Sequence, residues 1–295
     1  MGAGFSELPA GTTVGGAVRA VRAALADATE GALAEARLLV GHVAGLDLTG
    51  LVVGAEREIA AADLATLSEL VRRRLAGEPV QRLIGEAWFF GRRFRLSAET
   101  LIPRPDTEVL VDAVLARLEG VANPVVADIG VGSGAILVSL LAERGDMIGV
   151  GVDVSADALA TARANAQALG VGTRATWVRG SWVEPLGGGR FAAIVSNPPY
   201  IASAEIAGLD AEVRLFDPPA ALDGGADGLA AYRALAATMA ERLEPGGLVA
   251  LEIGFDQGAA VVRLLAEAGF MAIDVLPDLA GRDRVVIAHG GGCAE

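Results

Sequence analysis

The chain of 295 residues contains no lysine, one cysteine and two histidines. Each shortage excludes a chemistry. Without lysine there is neither a Schiff-base nucleophile nor a lysine-dependent phosphate loop. The single cysteine, Cys293 in a glycine-rich tail, excludes an internal disulfide framework and any multi-cysteine zinc site. His42 and His289 are too few and too scattered to form a metal cluster, so no metal is expected. No uninterrupted apolar run reaches the roughly 18 residues of a membrane span. The N-terminal stretch has no basic region followed by an apolar core. A soluble, cytoplasmic protein without a membrane partner is expected.

What is present is apolar and acidic. Hydrophobic residues make up 53% of the chain, enough for buried cores, and the length allows about two domains. The net charge is −13, and all 24 basic residues are arginine, a balance that repels nucleic acid phosphates. The charge is uneven: between Arg72 and Arg104 lie eight arginines against Glu78, Glu86 and Glu99. That stretch reads equally as a docking face for an acidic partner or as arginines paired within the protein.

Up to about residue 77 the apolar spacing is helical, through Val14, Val18, Val21 and Leu25, then Leu33 with Leu38 to Val43, then Leu64, Leu67, Leu70, Val71 and Leu75. Gly77 and Pro79 are expected to end the last of these helices. The segment 86–103, with aromatic clusters interrupted by Gly91, predicts a hairpin linker. From Pro124 the pattern changes to seven short apolar runs alternating with helical stretches, which predicts a mainly parallel sheet with helices on both faces. The expected division is a helical domain at 1–85, the linker, a second domain at 104–290 and a disordered tail at 291–295. Ligands on such sheets bind outside the carboxyl ends of the strands.

The first run leads directly into Gly130, Val131, Gly132, Ser133 and Gly134, where glycines let the backbone turn tightly and approach a ligand. The loop also fits the tolerant dinucleotide fingerprint, so a nicotinamide enzyme stays open at this point. Asp153 ends the second run, placed to accept both ribose hydroxyls of a nucleoside cofactor, or else to cap the next helix, although Ser155 is the better cap. Trp182 follows the third run and reads equally as an adenine platform or a core aromatic.

After the fourth run comes Ser196-Asn197-Pro198-Pro199-Tyr200. Two prolines fix the backbone and remove two amide donors. A planar NH2 group needs two acceptors in its plane; the Asn197 side-chain oxygen and the Pro198 carbonyl can supply them, and the Tyr200 ring can cover its flat face. The motif could also be a rigid turn, but it falls at a strand's carboxyl end alongside the glycine loop and Asp153.

This constellation resembles class I S-adenosylmethionine-dependent methyltransferases acting on planar nitrogens. The segments Glu35–Leu39, Gly77–Gln81, Leu101–Glu108, Ala221–Leu229 and Asp278–Arg284 resemble more narrowly the PrmC/HemK family, protein-(glutamine-N5) methyltransferases that act on peptide chain release factors. The resemblance covers nearly the whole chain and implies a Rossmann-like α/β fold with a seven-stranded sheet behind a small helical bundle. It also implies S-adenosylmethionine as cofactor, with Gly130 to Gly134, Asp153, Trp182 and Asn197 around it and Asn197, Pro198, Pro199 and Tyr200 on the substrate glutamine amide. Asn197, Pro198 and Tyr200 are the expected catalytic residues, release factors the expected partners, and a monomer the expected state. Asp217 stands where the family usually has Glu. The alternative is a nucleic acid amino-methyltransferase, since adenine N6 or cytosine N4 presents the same planar NH2; the acidic charge opposes it. A vestigial, non-enzymatic interaction module would fail to bind S-adenosylmethionine.

Overall fold

The computed structural model describes residue 5 and residues 7–290; Cys293 and the tail expected at 291–295 lie outside the described residues. The chain divides into two compact units, Met1–Gly85 and Glu86–Glu295.

The first unit is helical: α1 (Val14–Leu25), α2 (Ala32–Ala44), α3 (Leu48–Val53), α4 (Ala61–Leu75) and α5 (Val80–Ile84). Helix α1 starts where the Thr13 hydroxyl accepts from the Gly16 amide, and it buries Val14, Ala17, Val21 and Leu25 along one stripe. These pack with Ala36, Leu39 and Val40 of α2 and Leu64, Leu67 and Val71 of α4. Gly77 takes a left-handed φ of 99° after α4, as expected, but Pro79 does not end the helical region. It opens the short α5 instead, because proline at a helix start sacrifices no hydrogen bond.

The second unit begins with a hairpin of β1 (Glu86–Phe89) and β2 (Arg92–Arg95), closed by Phe90 and Gly91, both with positive φ. The segment expected as a linker is part of this unit's core: Phe89 and Phe94 are fully buried against α6 (Glu108–Arg117) and the elements that follow.

Those elements are β3 (Val125–Ile129), α7 (Ala135–Glu143), β4 (Ile148–Asp153), α8 (Ala156–Ala168), β5 (Ala175–Arg179), β6 (Phe191–Ser196), α9 (Ala211–Phe216), α10 (Ala230–Met239), β7 (Leu243–Glu252), α11 (Gly258–Glu267), β8 (Met271–Pro277) and β9 (Asp283–His289). The seven expected runs form one sheet in the order β5-β4-β3-β6-β7-β9-β8, with β9 alone antiparallel to its neighbours. Alternation along the strands fills both faces. Val126, Ala193 and Val195 face the cluster built with α6, α7 and α8, while Ala127, Ile129 and Ile194 face the cluster built with α10 and α11. The strand order reverses between β3 and β6, which places a crevice above their carboxyl ends. Among the described residues, no helix is long and apolar enough to cross a membrane.

Candidate functional site

The glycine loop leaves β3 at that crevice. Gly130, Gly132 and Gly134 all have positive φ, and at Gly130 and Gly132 an added Cβ would meet only open space, so the backbone rather than side chains faces the crevice. The loop is pinned from the next strand: the amides of Gly130 and Val131 both donate to the Val152 carbonyl, at 2.9 and 3.0 Å. The Gly132 amide donates to Oδ2 of Asp153 at 2.9 Å, while Asp153 Oδ1 accepts from the Ser155 amide. Ser155, not Asp153, caps α8, its hydroxyl accepting from the Ala158 amide. Trp182 lies on the loop after β5, half-buried, with a φ of 52° that a non-glycine residue rarely adopts, a conformation that marks functional loops.

Asp128, one residue before the end of β3, is fully buried, and burial pushes its pKa up to about 7. Its Oδ2 accepts from the Leu137 amide at 3.2 Å, but Oδ1 has no partner. An orphaned acceptor at the foot of an open glycine loop, beside a second carboxylate on β4, fits a ligand carrying positive charge and a ribose. S-adenosylmethionine, with its sulfonium and ammonium groups, meets that description.

Asn197 to Tyr200 leave the neighbouring strand β6, so the two candidate loops rise side by side; the Ser196 hydroxyl donates to the Ile129 carbonyl at 2.6 Å and ties their bases together. The Asn197 amide nitrogen donates to the Thr107 hydroxyl at 3.3 Å. Among the described residues, neither the Asn197 side-chain oxygen nor the Pro198 carbonyl accepts a hydrogen bond. Tyr200 is half-buried, and burial raises its phenol pKa to about 12, so the ring is neutral.

The remaining segments singled out in the sequence buttress this loop. Segment 221–229 runs beside it: the Ile201 amide donates to the Leu222 carbonyl and the Gly224 amide to the Ile201 carbonyl. A Cβ on Gly228 would sit 2.4 Å from the Tyr200 carbonyl oxygen, so only glycine allows this approach. In the segment after β2 four side chains, all but one of them consecutive, reach four different parts of the chain. Arg104 donates to Asp217 at 2.6 Å, Thr107 meets Asn197, Glu108 accepts from the Phe90 amide at 2.7 Å, and Asp106 lies 3.4 Å from Arg284. Arg284 also donates to the Ile253 carbonyl and to Asp278, whose own pKa is lowered by backbone donors, that of Arg282 first. Asp217 is thus a buried partner of Arg104.

Two residues of the site escaped the sequence reading. Asp128 lay inside a strand that was read only for its apolar pattern. Glu252 ends β7 and is almost fully buried, with its pKa raised to about 7 chiefly by burial. The rule that placed Asp153 and Asn197, that chemistry follows strand ends, points to Glu252 as well.

Six of the eight arginines in the stretch are paired internally. Arg72 meets Glu69, Arg73 meets Glu78, Arg74 meets Glu35, Arg92 meets Glu143, Arg93 meets Glu86 and Arg104 meets Asp217. Pairing within the protein therefore accounts for most of that stretch.

Comparison with known proteins matches residues 16–85 to the PrmC N-terminal domain and residues 105–225 to the methyltransferase small domain. The chain is 46% identical to the release factor glutamine methyltransferase of Bradyrhizobium diazoefficiens over 95% of both chains. It is 44% identical to that of Moorella thermoacetica over 92% of this chain and 95% of the relative. Against that of Rhodospirillum rubrum it is 44% identical over 86% of this chain and 78% of the relative. Among solved structures, a methyltransferase from Pyrococcus furiosus shares the fold, with a TM-score of 0.50 at 17% identity, over 69% of this chain and 91% of that one.

Proposed function

Since the chain belongs to the release factor glutamine methyltransferase family, we propose that it transfers the methyl group of S-adenosylmethionine to the side-chain amide nitrogen, N5, of the glutamine in the Gly-Gly-Gln motif of peptide chain release factors. The observation that carries this reading is the pair of unclaimed acceptors, Asn197 Oδ1 and the Pro198 carbonyl, on a loop beside the glycine turn. A primary amide offers two coplanar N–H donors and little else; two fixed acceptors match it.

When bound, S-adenosylmethionine supplies a methyl group activated on a sulfonium. Gly130, Val131, Gly132, Ser133 and Gly134 would present backbone to it, Asp153 would hold its ribose, and Trp182 would lie against its adenine. Asn197 and Pro198 would bind the glutamine NH2, with Pro199 keeping the loop rigid and Tyr200 covering the flat face. An amide nitrogen is a poor nucleophile because its lone pair is delocalised. Holding both N–H bonds fixes the nitrogen and favours localisation of the pair towards the methyl, so positioning and electrostatics act together. The sulfonium would supply the methyl group and keep the C–S bonding electrons, and the surplus amide proton would leave to water, so no strong base is required of the residues around Asn197. The helical unit at 1–85 is proposed to engage the release factor beyond the Gly-Gly-Gln loop, which offsets the cost of ordering a flexible segment. The protein is proposed to act as a cytoplasmic monomer.

The deciding experiment is mass spectrometry of a release factor incubated with the protein and S-adenosylmethionine, with DNA as a parallel acceptor. One methyl group on the glutamine is expected. Methylated adenine or cytosine with an unmodified glutamine would overturn the reading. Asn197→Ala is expected to lower kcat by about 10²- to 10³-fold while cofactor still binds.

A further inference from the structure

The Asn197 amide is backed by a short polar chain that ends in Glu252. Thr107, itself buried, stands between them: its hydroxyl accepts from Asn197 Nδ2 at 3.3 Å. The Glu252 carboxylate lies beside both side chains, close enough for each to lower its pKa as a donor, and its Oε2 is buried with no hydrogen-bond partner. We propose that Glu252 is a positioning residue that, with Thr107, sets which way round the Asn197 amide sits and so keeps its oxygen turned to the substrate. This rests on the functional reading above.

The argument is one of donors and acceptors. A threonine hydroxyl can donate or accept, so by itself it holds an asparagine amide equally well in either orientation. An ionised carboxylate only accepts. An ionised Glu252 beside it draws the Thr107 proton towards the carboxylate, which leaves Thr107 Oγ1 as an acceptor. Only the NH2 end of Asn197 can then satisfy both Thr107 and Glu252, which leaves Oδ1 for the glutamine amide. Were Asn197 turned over, its oxygen would face the carboxylate, and its NH2 would meet the N–H donors of the substrate. No productive complex forms that way.

The same arrangement couples turnover to the charge on Glu252. The groups facing it are Asp106, Arg284, Tyr200 and Tyr232. Arg284 stays charged, and both phenols are held above their ordinary range, Tyr200 at about 12. Burial lifts Glu252 to about 7, so it loses its proton near neutrality. Protonated Glu252 carries a donor of its own and no longer dictates the direction of the chain.

The test is kcat and cofactor Kd across neutral pH, at saturating S-adenosylmethionine, for the wild type, Glu252→Gln, Thr107→Val and Thr107→Ser, with a glutamine-bearing release factor as substrate. Wild-type kcat is expected to rise with pH through about 7. Glu252→Gln, isosteric but able to donate, is expected to lose about 10- to 100-fold in kcat and the rise with pH, with cofactor Kd unchanged. Thr107→Val is expected to show the same loss, and Thr107→Ser, which keeps the hydroxyl, to restore activity. Near-wild-type turnover in Glu252→Gln, or the same rise with pH, would overturn the proposal. So would equal impairment of the serine and valine variants, and this pair decides the matter if Glu252→Gln does not bind cofactor. A wild type that leaves the glutamine unmodified instead overturns the functional reading, and the inference with it.

Discussion

The Gly132 amide and the Asp153 carboxylate, 21 residues apart in sequence, are joined at 2.9 Å across the carboxyl ends of two adjacent strands. One oxygen of the proposed ribose-binding group therefore already braces the loop beside it. Asp153→Ala is expected to remove both the brace and the acceptor. Hydrogen bonds to charged groups contribute about 1.5–3 kcal/mol, so calorimetric cofactor Kd should rise about 10- to 100-fold. An unaltered Kd would remove Asp153 from the site.

Gly228 is the narrowest point behind the proposed substrate loop. Gly228→Ala places a methyl group against the Tyr200 carbonyl and demands a φ of 72° from alanine. The expected cost is about 1–3 kcal/mol in urea denaturation. Cofactor Kd should stay near wild type while KM for the release factor rises. A variant with normal stability and KM would show that the loop yields freely.

Burial of Asp128 makes stability fall as pH rises from about 4 to about 7. Its carboxyl titrates near about 3.9 when unfolded and near 7 when folded, so the folded state holds an extra proton between those values. Stability from this group is therefore fully present below its unfolded pKa and lost as pH rises through its folded one, by up to about 1.4 kcal/mol per pH unit in the window. Glu252 acts in the same direction. Asp128→Asn should flatten part of the decline in denaturation midpoint across that window. An identical slope in the variant would contradict the assignment.

In the helical unit the Arg74 guanidinium donates twice to Glu35, at 2.6 and 3.2 Å, and both side chains are largely buried. Glu35→Ala removes a doubly hydrogen-bonded carboxylate from a buried guanidinium, at an expected cost of about 3 kcal/mol. Replacing both residues with apolar ones of similar size should recover much of that loss. Thermal unfolding of the variants measures it; a Glu35→Ala midpoint equal to wild type would mean that the pair contributes nothing to the unit.

The seven strands were legible because each is a short apolar run bounded by glycine, proline or charge, and Gly130 to Gly134, Asp153 and Asn197 because each follows such a run. Helices α3 and α5 were not, being six and five residues long and too short to display a helical period. The arginine stretch left two readings open for a related reason. A local charge count sees Arg74 and Arg104 but not Glu35 and Asp217, which lie 39 and 113 residues away along the chain. Thr107 was hidden because donor and acceptor roles depend on which side chains meet, which no spacing rule records, whereas Glu252 ends β7, where the rule that placed Asp153 and Asn197 applies.

The position of β9 bears on how the molecule is made. The last strand in sequence lies inside the sheet, between β7 and β8. Until residues 283–289 have been synthesised, β7 has an open edge and β8 has no partner in the sheet. The N-terminal helices, which pack together within the first 85 residues, can form as they emerge from the ribosome, whereas the sheet closes only after residues 283–289 have been translated. A ribosome stalled before residue 283 would therefore carry a folded helical unit followed by an incomplete sheet, with its unpaired edge exposed to chaperones and proteases.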